Sequence, residues 1–144
     1  MNYLSGKDKK NLKLPKGYSV SKKDEIYEKD SLLYKDKEAF LIKLDGDYIP
    51  HIKSLDATSF KSVYVDRGAI PFVIKGADLM RPGIELVDSG FSVNDIVLVC
   101  DNEHKKVLAV GRALFESSVM SGMEKGKVVK ILHYVGDGHY WLLF

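Results

Sequence analysis

The stretch 64–84, Y-V-D-R-G-A-I-P-F-V-I-K-G-A-D-L-M-R-P-G-I, constrains the fold more than any other part of the chain, because helix start, helix stop and turn signals fall together in it. The carboxylate of Asp66 can accept from the first free N–H groups of a helix and favours the positive end of its dipole, so a helix is expected from Arg67. Ile70, Val73, Ile74 and Ala77 follow at helical spacing as one apolar stripe, and Gly76 stands where a left-handed residue ends a helix. A short apolar run, 77–80, then leads into Arg81-Pro82-Gly83, where Pro fixes φ and Gly permits a positive φ in a tight turn. No structural demand for an arginine is visible in that turn, so Arg81 reads as an exposed cation.

The flanking sequence is strand-like. Upstream, Ala39-Phe40-Leu41-Ile42 and Tyr48-Ile49-Pro50 flank Asp45-Gly46, a strong hairpin signal, and Ser31-Leu32-Leu33-Tyr34 precedes the polar turn Lys35-Asp36-Lys37. Pro50 marks a strand end or an edge, since it cannot donate to a ladder. For 52–60 the residues leave both a short helix and an irregular crossing open. Downstream, strands are expected at 62–65, 84–87, 93–100, 107–113 and 128–134, with one helical turn at 117–123. A tight hairpin at Gly136-Asp137-Gly138 should return the chain as a buried closing strand over 139–144. Short strands plugged by one helix indicate an α+β protein whose second part is a small pseudo-barrel.

Composition narrows the function classes. A chain of 144 residues with 45% hydrophobic and 29% charged residues suits one core or two small ones, and order is expected beyond the first dozen or so residues. No run is long enough to cross a bilayer and the N-terminus lacks a signal-peptide pattern, so the cytoplasm is the expected location. The net charge of +2 does not announce a nucleic-acid binder, although Lys7, Lys9, Lys10 and Lys13 against Asp8 give residues 1–13 the look of a solvated basic tail. Cys100 closes an apolar run and reads as a buried strand thiol. His51, His104, His133 and His139 are scattered without metal-ligand spacing or a matched carboxylate. Asp95 and Asp137 read as loop and turn residues, and Ser117, Ser118 and Ser121 lack a nucleophile-elbow context. No enzyme, metal or cofactor is therefore expected.

The run Asp66-Arg67-Gly68-Ala69-Ile70-Pro71-Phe72-Val73-Ile74-Lys75-Gly76-Ala77-Asp78-Leu79-Met80-Arg81-Pro82-Gly83 resembles the start of the PUA domain. Within that superfamily it is most similar to the malignant T-cell-amplified-sequence proteins and their archaeal and yeast relatives. The resemblance continues through Val93-Asn94-Asp95-Ile96-Val97, Ala109-Val110-Gly111-Arg112-Ala113, Gly126-Lys127-Val128 and His133-Tyr134-Val135-Gly136-Asp137-Gly138. It implies a pre-PUA N-terminal domain over 1–61 and an RNA-binding PUA domain over 62–144. It also implies an RNA contact strip at Lys75, Gly76, Ala77, Asp78 and Arg81, with Arg67 and Gly83 beside it. Met80 and Leu79 would offer an apolar surface to an unstacked base, Leu79 being also a natural core residue, and Arg112 matches a family position that an ion pair to Glu116 would equally explain. The function implied is a non-enzymatic, ribosome-associated translation factor. Its RNA would be the 3′ CCA end of tRNA or small-subunit ribosomal RNA. Two alternatives remain: a module docking an initiation-factor-like protein through the exposed edge strands, Tyr34 and Tyr48 of the N-terminal domain, or an accessory subunit of an RNA-modifying enzyme.

Overall fold

The computed structural model describes residues 2–141, the last by its backbone alone. The chain is mostly β and gathers into two compact units. One comprises the chain through Leu55 together with the segment from Gly138 onward, and the other is Asp56–Asp137. The division thus precedes the expected boundary at 61/62, and the last described residues belong with the first unit.

The first unit holds a five-stranded antiparallel meander of β1 (Asn2–Tyr3), β2 (Ile26–Lys29), β3 (Leu32–Lys35), β4 (Glu38–Leu44) and β5 (Asp47–Pro50) in chain order. From β2 onward the strands are joined by two-residue turns, Asp30-Ser31, Asp36-Lys37 and Asp45-Gly46, with φ of 53 and 64, 50 and 74, and 49 and 85° respectively. Two successive positive φ values match the right-handed twist of a strand pair. Asp45-Gly46 announces such a turn, whereas Ser31 and Lys37 adopt it against their own preference, which is why β2 escaped the sequence pattern. Pro50 ends the edge strand β5, as its missing N–H requires.

The N-terminal residues do not form the expected tail. Ser5 caps α1 (Gly6–Lys10) in a reciprocal box: its Oγ accepts from the Asp8 N–H and Asp8 Oδ2 accepts from the Ser5 N–H, both at 3.1 Å. Lys9 donates to the backbone carbonyls of Lys22 and Asp24, and Leu4, Leu12 and Leu14 pack onto the core of Ile26, Leu33, Phe40 and Leu41. Tyr34, expected at a docking surface, is 4% exposed and stacks on Tyr27, while Tyr48 packs against this core. The segment 52–60 contains only one 3-10 turn, Ala57–Ser59, capped by Asp56.

The second unit contains β6 (Lys61–Val65), α2 (Ile70–Val73), β7 (Leu79–Met80), β8 (Ile84–Val87), β9 (Ile96–Asp101), β10 (Val107–Ala113), α3 (Ser117–Gly122) and β11 (Lys127–Tyr134). Its sheet has the order β7-β11-β10-β9-β6-β8, with β6 and β9 parallel and every other pair antiparallel. β7 and β8 stand at opposite ends of that order, yet the 3-10 turn Arg81–Gly83 alone separates them in the chain. Three residues reach at most about 10 Å, so the sheet curls until its two ends nearly meet. The curl closes over Val63, Val65, Val97, Val99, Met120 and Val129, all at most 1% exposed, each worth about 1.5–3 kcal/mol of burial. At Gly111, beside a bulge between β10 and β11, an added Cβ would run into Val129 and stand 2.9 Å from the Lys130 carbonyl.

The C-terminal end departs from the expected hairpin. Asp137 accepts from the Tyr134 N–H at 2.9 Å, and the chain then enters a helical turn, α4 (Gly138–Trp141), instead of a returning strand. Residues 142–144, the remainder of the expected closing strand, lie outside the described residues. Among the described residues no helix is long and apolar enough to cross a membrane.

Candidate nucleic-acid interface

Asp66 builds a turn before it builds a helix. Its Oδ1 accepts from the Ala69 N–H at 2.9 Å and its carbonyl accepts from the same group at 3.2 Å, so 67–69 are a turn and α2 starts only at Ile70. Pro71 fits the first helical turn, where its missing N–H costs nothing. The helix ends as Gly76 predicted: the Gly76 N–H donates to the Val73 carbonyl at 3.0 Å and the Ala77 N–H to the Phe72 carbonyl at 3.1 Å, with Gly76 at φ 85°. A Cβ on Gly76 would also stand 2.8 Å from the Tyr134 ring. Four helical residues present little face to the core, so of the expected stripe Val73 is buried and Ile70 half-buried, while Ile74 and Ala77 are exposed.

Between α2 and β7 runs a groove of about 440 Å³ lined mainly by Ala69, Phe72, Val73, Ala77, Leu79, Met80, Pro82 and Gly83. Val73 and Leu79 form its buried floor, whereas Phe72 is 65% and Met80 49% exposed on its walls. Gly83 has no positive φ, contrary to expectation. Its reason is proximity: a Cβ there would stand 2.9 Å from the Ala69 Cβ. Phe72 was not among the expected contacts. The signal for it was an aromatic lying off the apolar stripe of its own helix.

The expected cations fare differently from one another. Lys75 is exposed at the end of α2, and no described residue holds its ammonium. Arg81 has a structural task that the sequence concealed: its Nε donates to the Met120 carbonyl at 2.8 Å, Nη1 to Ile84 at 2.9 Å and Nη2 to Ser121 at 3.4 Å, satisfying carbonyls at the end of α3. Arg112 donates from Nη1 to the Asn94 carbonyl at 2.9 Å, while Glu116 accepts from the Ser118 hydroxyl. Asp78 fastens β7 to β11, accepting from the Ile131 N–H at 2.9 Å and pairing with Lys127 at 3.2 Å.

Arg67 turns to the other side of the turn. There a second, polar cavity of about 460 Å³ is lined by Arg67, Glu85, Asp101, Asn102, Glu103 and His104 among others, and it shares Asp66 and Gly68 with the groove. Arg67 Nε donates to Glu103 Oε2 at 2.9 Å and Nη2 to Oε1 at 2.8 Å, a two-pronged pair that raises the guanidinium pKa and lowers that of the carboxyl.

Reactive-type groups occur elsewhere as structural ones. Cys100 is buried as expected, donates to the Ser62 hydroxyl at 3.8 Å, and has its thiol pKa pushed up by burial. Asp95 supports its loop by accepting from the Ser92 N–H at 2.9 Å. His133 does have a matched carboxylate, contrary to expectation: its Nδ1 lies 2.8 Å from Asp137 Oδ2, and the imidazole is fully buried. The partner was hidden because the spacing of four residues spans a strand end and a turn rather than a helix. No group of three or more His, Cys, Asp or Glu suited to a metal occurs among the described residues.

The PUA domain model matches residues 61–135, which covers the curled sheet and the groove. The chain belongs to the PUA domain family. Among PUA relatives, an uncharacterized protein of Methanocaldococcus jannaschii is 38% identical over 94% of this chain and 91% of its own length. Translation machinery-associated protein 20 of Saccharomyces cerevisiae is 27% identical over 71% of this chain, which spans 61% of the yeast protein. Similarity of the same order extends to the malignant T-cell-amplified sequence proteins. The crystal structure of a PUA domain from Aeropyrum pernix K1 superposes with a TM-score of 0.82 at 26% identity, covering 96% of this chain and 88% of that one.

Proposed function

We propose that this PUA protein is a non-enzymatic RNA-binding factor associated with translation. It takes an unstacked base from a single-stranded RNA end into the groove between α2 and β7. The observation that carries this reading is an exposed aromatic, Phe72, which lines with Met80 a groove whose wall is pared down to glycine at Gly83. Exposed apolar surface in a groove is where a ligand gains by burial, and a nucleobase offers a flat π face that stacks on an aromatic ring. Lys75, exposed just past α2, supplies a cation for a phosphate of the same strand. Arg81, Arg112 and Asp78 contribute mainly by holding the frame. The name of the yeast relative, translation machinery-associated protein 20, supports association with translation, and a factor acting there would be cytoplasmic. The 3′ CCA end of tRNA is the leading ligand, with small-subunit ribosomal RNA next.

Fluorescence-anisotropy titration of labelled tRNA, with and without its 3′ CCA, against wild type, Phe72→Ala and Met80→Ala tests this. One lost stacking contact is worth about 1–3 kcal/mol, so Phe72→Ala should weaken binding roughly five- to 150-fold while leaving thermal stability unchanged. Equal binding by wild type and folded Phe72→Ala would remove the groove from the RNA path. Absence of binding altogether would favour a protein partner of the initiation-factor type, or an accessory role beside a modifying enzyme.

A further inference from the structure

We propose that Glu103 is an internal competitor for RNA phosphate: it holds Arg67 out of the groove and is displaced when RNA binds. The inference rests on the RNA-binding reading above and concerns the regulation of that same site. Arg67 belongs to the turn whose neighbours Asp66 and Gly68 line the apolar groove, yet its own side chain lines only the polar cavity on the other side. What keeps it there is the two-pronged pair with Glu103, a residue of the β9–β10 loop. A carboxylate that uses both prongs of a guanidinium occupies the geometry by which arginine grips a phosphate. The two ligands therefore exclude one another on that face.

The pair is built to exchange. The side chains of Arg67 and Glu103 are 82% and 50% exposed, and ion pairs in such settings hold weakly because water screens them. Arg67 also has a flexible stem rooted at the groove's rim, so breaking the pair frees it to turn towards a strand lying in the groove. By contrast Arg81 is bonded to three carbonyls and cannot be recruited without undoing the end of α3. Glu103 thereby sets a threshold: weakly held polyanions fail to displace it, and a strand already anchored by its base in the groove succeeds.

The test is a double-mutant cycle with Glu103→Gln and Arg67→Gln, read by anisotropy with the same labelled tRNA across a salt series, each variant first shown folded by circular dichroism. Freeing the arginine should tighten RNA binding roughly two- to fivefold at low salt, the scale of an exposed ion pair. Where wild type opens the latch only partly, the slope of log K against log salt should steepen by up to about 0.7, one added phosphate contact. Arg67→Gln should weaken binding, and Arg67→Gln with Glu103→Gln should bind like Arg67→Gln alone. Unchanged affinity and slope for Glu103→Gln beside salt-sensitive wild-type binding would overturn the latch and leave the RNA-binding reading intact. Failure of every folded variant to bind RNA would overturn both.

Discussion

The turn 66–69 separates two concave surfaces of similar volume that are built on different principles. On the groove side the shape is set by hard contacts, with Gly83 pressed against Ala69, and the walls carry Phe72 and Met80. On the cavity side the walls are charged and polar groups tied to one another, Arg67 to Glu103 and Asn102 to Glu85. Close packing tolerates little substitution, whereas exposed charges can trade partners at little cost. The groove therefore suits a fixed docking place and the cavity an adjustable one.

That contrast can be tested from the strongest effect down. Arg81 lies next to the groove but behaves as part of its frame, so Arg81→Ala should destabilise the fold by about 1.5–3 kcal/mol in urea denaturation, the scale of charged hydrogen bonds lost. If Arg81→Ala instead keeps full stability and abolishes RNA binding, Arg81 belongs with the exchangeable charges and the contrast fails. Gly83→Ala should cost about 1–3 kcal/mol by the same denaturation measurement, because the Ala69 Cβ it would meet is fixed to the backbone. Lys75→Ala should leave stability unchanged and flatten the salt dependence of RNA binding by about 0.7 log units per log unit, one phosphate contact. A stability loss there would mean that Lys75 has a structural partner.

Much of the second unit was legible in residue types with a single physical meaning. Gly76 stopped a helix and Cys100 lay in a buried strand, just as Asp45-Gly46 made a hairpin in the first unit, each as its local chemistry required. Failures came where a side chain's partner is remote in sequence. Arg81 looked free because the carbonyls it serves lie about forty residues away at Met120 and Ser121, and Asp78 looked available because Ile131 and Lys127 hold it. The turn at Asp30-Ser31 was obscured for a different reason: sheet twist there forces a left-handed backbone on Ser31, which does not favour it.

The sequence by itself announced the PUA fold through its resemblance to that family, and it located the glycine and turn that frame the groove because glycine and proline chemistry acts over a few residues. Only the tertiary structure decided which cations remain available, since a charge's role depends on carbonyls and carboxylates brought to it by the curl of the sheet. It left Lys75 open, committed Arg81 to the frame, and placed Arg67 in the hand of Glu103.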